Sequence, residues 1–180
     1  MNIDTEMDLS QLHDTMTAAI RAHFPAFQTV EFYRAEGDAL PLPACLLAMS
    51  EFEGAPEADP GTGQLAVMMR FKAELAIGLQ TPDEQRAIRV LAAAFAAFLH
   101  EKRWPGRFCG PVQAIRAYPD QRQPSLAQAR VWCVEWRQIA HLGAGAWHEE
   151  GSPPTSVYLG FAPDIGMGNE EKYISVAGIA

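Results

Sequence analysis

Five histidines, three cysteines and a scatter of carboxylates are the side chains here that could hold a metal or carry acid–base and nucleophilic chemistry. Their spacing does not gather them. His13, His23, His100, His141 and His148 form neither an HExxH nor an HxH pattern and join no cysteine at ligand spacing. Cys45, Cys109 and Cys133 lie far apart with no CxxC pair, so neither a zinc knuckle nor a disulfide framework is indicated, and reduced thiols are expected. Cys109 follows Arg107, a neighbour that could lower a thiol pKa, although a small apolar cysteine more often serves packing. Glu51, Glu53, Glu57 and Asp59 could meet on a hard cation, but they lack the ligand order and glycine of an EF-hand and read as a solvated loop. Trp147-His148-Glu149-Glu150 sets an imidazole beside carboxylates, and an exposed turn behind an aromatic anchor is the simpler reading. The glycines between residues 160 and 168 lack the lysine and the βαβ setting of a phosphate cradle, and no GxSxG, Walker A or GxGxxG string occurs. Trp132 and Trp136 share a strand face that could stack a ligand or cover a core, and the core reading is preferred. No residue is therefore assigned a catalytic, cofactor-binding or metal-ligating role, no cofactor is expected, and the chain is read as a non-enzyme.

The elements that position these residues follow from periodicity. Leu12, Met16, Ala19, Ile20 and Phe24 recur at helical spacing until Pro25, which predicts a helix over 10–24. A short strand over 29–33, a turn-rich loop over 35–43 and a buried strand over 45–52 come next. Gly54, Pro56, Pro60, Gly61 and Gly63 among acidic residues predict a mobile hairpin loop over 53–63. Strict alternation over 65–77 gives the clearest strand. Thr81-Pro82-Asp83-Glu84 carries the pattern of a capping box with proline at the first helical position, so a helix is expected from Thr81 to about Arg103. Its stripe of Ile88, Leu91, Ala92, Phe95, Phe98 and Leu99 faces a core. Strands are predicted over 112–118 and 130–139, with Trp132, Val134 and Trp136 on one face of the second. The other face begins with Val131 and Cys133 and turns polar at Glu135 and Arg137. Short loops make the sheet mainly antiparallel. The expected fold is α+β, a mainly antiparallel sheet flanked by two main helices, with Phe71, Leu75, Leu91, Phe95 and Trp132 buried.

Composition sets the outer limits. At 180 residues, 48% hydrophobic and 20% charged, the chain fits one folded domain with an appendage. A formal charge of −8 opposes a broad phosphate-binding surface, though an acidic wall lets DNA pass without adhering. The acidic amino terminus does not resemble a signal peptide and no apolar run reaches membrane-spanning length, so a cytoplasmic chain with no membrane partner is expected.

Two units are expected: an α+β domain over 1–142 and an extension over 143–180. The extension holds short apolar clusters separated by glycine and proline, too apolar for a solvated tail and too short for a core of its own. Such a segment docks on its own domain or on a neighbouring subunit. Tyr158, Phe161, Ile165 and Tyr173 are its candidate interface residues, since aromatic side chains bury much area at little entropic cost.

The order helix, strand, acidic loop, long strand, helix and two strands over 10–139 resembles the tail terminator and tail completion proteins of long-tailed bacteriophages. Tyr158-Leu159-Gly160-Phe161-Ala162-Pro163-Asp164-Ile165-Gly166, with the later Tyr173, resembles the C-terminal segments of minor tail proteins of Mu-like phages. This resemblance implies a structural virion protein, assembled in the host cytoplasm and placed at the neck of the tail. It implies a homo-oligomeric, hexameric ring that caps the tail tube and meets the head–tail connector, with DNA crossing its channel. The hairpin over 45–77 would then be a natural contact element. The extension after Leu142 departs from the shorter members of that family. A small cytoplasmic enzyme without a recognisable motif, or a ligand-binding module, stays open as the alternative.

Overall fold

The structure, a computed structural model, describes residues 8–35, 39–104, 109–120, 129–143 and 158–176. The chain divides into two compact units, Met1–Ala146 and Trp147–Ala180.

In the first unit, helix α1 spans Leu9–His23. Asp8 caps it by accepting from the backbone N–H of Ser10 at 2.8 Å and of Gln11 at 3.1 Å, which satisfies two of the donors a helix start leaves unpaired. Leu12, Met16 and Ile20, one helical turn apart, are its buried stripe. Strands β1 (Thr29–Phe32), β2 (Ala44–Gly54) and β3 (Leu65–Gly78) lead to helix α2 (Glu84–Leu99), followed by β4 (Gln113–Pro119) and β5 (Ala129–Leu142). The five strands form one sheet in the order β1-β2-β3-β5-β4. β1 and β2 are parallel and every other pair is antiparallel, so the architecture is α+β as its alternation predicts.

The backbone of the sheet is the β3–β5 pair, fourteen residues on each strand, in register from Leu65 opposite Leu142 to Gly78 opposite Ala129. Val67, Met69, Phe71, Ala73 and Leu75 of β3 meet Val134, Trp136 and Ala140 of β5 and the stripe Ile88, Ala92, Phe95 and Leu99 of α2 in a single core that α1 completes. Phe71 and Trp136, direct partners across the strands, stack with ring centroids 5.5 Å apart. Arg21 of α1 donates to the Val30 carbonyl at 2.7 Å, tying the helix to the short edge strand.

Several expectations need correction. α2 begins at Glu84, not Thr81, and its preceding residue Asp83 has left-handed backbone (φ 49°) with no side-chain cap. Glu84 does not close a capping box, because its carboxylate is paired with Arg130 of β5 at 3.1 Å. The helix also stops at Leu99, short of Arg103. Leu91 and Trp132 are only half-buried: Leu91 sits one place off the Ile88–Ala92–Phe95–Leu99 stripe, and Trp132 near the start of β5 carries Arg89 over its ring at 5.5 Å. The segment after Phe52 is not a free loop. β2 runs on to Gly54, a 3₁₀ turn covers Pro56–Ala58, Ala55 is buried, and the imidazole of His141 lies 3.0 Å from the Ala58 carbonyl.

In the second unit, β6 (Tyr158–Leu159) pairs antiparallel with β7 (Ile174–Ser175), and a 3₁₀ turn over Glu170–Lys172 leads into the second strand. No helix among the described residues is long and apolar enough to cross a membrane.

Candidate functional site

In the second unit a stretch of fourteen residues between β6 and β7 is stitched to itself. Gly160 permits the stitch: a Cβ there would stand 2.8 Å from Cε1 of Tyr173 and 3.0 Å from Cγ2 of Ile165, so only glycine lets the Tyr173 ring close on the strand end. The Tyr173 hydroxyl then accepts from the Gly166 N–H at 2.8 Å. Gly168 donates to both carboxylate oxygens of Glu170 at 3.0 Å, a bond that holds the exposed Glu170 carboxyl below its usual pKa. Lys172 reaches back to Asp164. The amides of Gly166 and Gly168, the donors a phosphate cradle would need, are thus engaged inside the unit.

The four candidate interface residues separate into two kinds. Tyr173 is half-buried and supports its own unit. Tyr158, Phe161 and Ile165 are exposed, Phe161 at 70%, and Leu159, Ile174 and Met167, the last at 99%, join them. A two-stranded sheet of two residues per strand has no interior in which to place so many apolar side chains.

The first unit has a sheet face of its own to offer. One face of β3 and β5 meets the helices, and the other presents Met68, Arg70, Lys72 and Glu74 opposite Ile139, Arg137, Glu135 and Cys133. At the end near Ala44, Ala76 and Val131 this second face is apolar and covered by Leu40 and Leu42. The middle is a charge cluster. Lys72 bonds Glu74 at 2.5 Å and lies 3.4 Å from Asp120, and Tyr118 donates to Glu135 at 2.5 Å. Burial alone would lower the Lys72 pKa, but the bond and charge of Glu74, with Asp120 behind it, raise it on balance. Toward the hairpin, Arg70 pairs with Glu51 at 2.9 Å while facing Arg137 directly across the strands.

The thiols are packing groups. Burial pushes Cys109 up to about 12 and Cys133 to about 11, and raises Cys45 as well, so none is an activated nucleophile. Arg107, which could have acted on Cys109, and the Trp147–Glu150 cluster lie outside the described residues. Glu51 and Asp59 are engaged separately, with Arg70 and with the Gly61 N–H, and among the described residues no three potential ligands converge on a metal position. Trp136 is core, as its alternation predicts.

Reading the sequence passed over two features. Gln138 sits on the core face, and Arg70 opposes Arg137; the alternation of β5 gives the first, but the second needs the β3–β5 register, which no local pattern contains. No known protein family matches the chain, and no curated protein matches it in sequence.

Proposed function

We propose that this chain is a structural assembly protein that works through protein surfaces, in the manner of a bacteriophage tail terminator. Copies of it form a ring, hexameric in the resembled family, that caps the tail tube and meets the head–tail connector at the neck of the virion, with DNA passing through the channel. The observation that carries this reading is the set of exposed apolar side chains on the second unit, Tyr158, Leu159, Phe161, Ile165, Met167 and Ile174. So many exposed apolar side chains in so short a unit are costly in water and favour a docking role for it. The negative charge of the chain fits the role, because an acidic lining repels a passing polyanion.

The test is a capping experiment. Tail tubes assembled with the purified chain should carry added density at one end under the electron microscope and should stop lengthening. Tubes that stay bare and continue to grow contradict the proposal.

A further inference from the structure

The exposed face of the sheet has a charge imbalance at one row. Arg70 of β3 and Arg137 of β5 are direct cross-strand partners, an arrangement disfavoured by like-charge repulsion unless anions answer it. Glu51 answers Arg70 at 2.9 Å. Gln113 of β4, beyond Arg137, brings no charge. Arg137 has no acidic partner among the described residues, and Nε of Arg70 is buried with no acceptor. On one side of this row lies the half-buried apolar pair Met68 and Ile139; on the other, Lys72 and Glu135 belong to the charge cluster with Glu74, Asp120 and Tyr118. With Glu51 engaged on Arg70, Arg137 is left without a carboxylate of its own among the described residues, the group a guanidinium pairs with most strongly.

The same unit carries the complementary element. At the end of β2 and in the turn after it, Phe52, Glu53 and Glu57 are exposed, and neither glutamate has a basic partner among the described residues. We propose that the Arg70–Arg137 pair receives the acidic hairpin end of a second copy of this chain, through Glu53 and Glu57. This deepens the assembly reading and rests on it. A nucleic acid fits the row less well, because a chain of charge −8 repels an extended polyanion.

Charge reversal on each side of the contact tests it in the full-length chain. Arg137→Glu removes the repulsion with Arg70, and Glu53→Arg with Glu57→Arg changes only exposed positions, so both variants should keep the wild-type circular dichroism and unfolding midpoint. Each alone should assemble about tenfold or more weakly than wild type in sedimentation, the expected effect of removing one partner of a desolvated charge pair. Mixed, they should co-assemble, because the reversed hairpin of one meets the reversed face of the other; an ion pair within one chain would give no rescue by mixing. Wild-type assembly by either variant, or a mixture that stays dissociated, overturns the contact while leaving the assembly reading in place. A wild-type chain that is monomeric throughout removes both.

Discussion

A glutamine inside an aromatic core is tolerated only when each of its polar atoms is matched, and Gln138 meets that condition. Its Oε1 accepts from the indole N–H of Trp104 at 2.8 Å and of Trp136 at 3.2 Å, and its Nε2 donates to the Gly110 carbonyl at 2.8 Å. One side chain thus joins β5 to Trp104 and to Gly110. Gln138→Leu would strand two buried indole donors and a carbonyl, and should cost roughly 2–5 kcal/mol in urea unfolding. A loss below about 1 kcal/mol would mean that water or a neighbour replaces the amide. His13 gives a second residue-level prediction. Its ring stacks on Phe32 with centroids 4.1 Å apart, Nε2 is buried without a partner, and burial lowers its pKa below the ordinary 6.5 against a smaller opposing pull from Asp14. The folded state therefore resists a proton that the unfolded chain accepts. Stability from this residue is full above the unfolded value and declines as pH falls from about 6.5 toward the depressed folded value. His13→Phe should flatten the unfolding midpoint against pH across that window; an unchanged slope would show that His13 is not the group responsible.

At the level of elements, what the sequence reveals depends on how local its causes are. The stripe of α1 and the alternation of β3 are read from neighbours a few residues away, and both stand where the pattern puts them. The start of α2 is not local: Glu84 is drawn to Arg130, forty-six residues distant, and the capping box that Thr81 and Glu84 suggest does not close. Trp132 likewise lies on the predicted face, but its position near the start of β5 leaves it half-buried. The face of α2 is tested by Phe95, fully buried, with Phe24 at 5.6 Å and Trp136 at 6.4 Å between ring centroids. Phe95→Ala should cost roughly 3–5 kcal/mol, as truncation of a packed aromatic does. A change under about 1 kcal/mol would mean that the helix presents another face to the sheet.

For the whole molecule, the sequence reveals the kind of surface but not its partner. Glycine and proline between short apolar clusters mark the second unit as unable to bury itself, and the exposed Tyr158, Phe161 and Ile165 agree. The inward role of Tyr173 was hidden, since it depends on closure against Gly160, thirteen residues earlier. These two kinds of residue should separate on substitution. Tyr158→Ser with Phe161→Ser should leave thermal unfolding unchanged and weaken assembly, whereas Tyr173→Ala should disorder the unit, seen as rapid proteolysis after the first domain. Equal effects from both would contradict the division. Self-association is the central claim, and light scattering with negative-stain imaging at micromolar concentration tests it most directly. The account predicts a particle several times the mass of the 180-residue chain, with a central opening in the images. A particle with the mass of one chain at every concentration would contradict it.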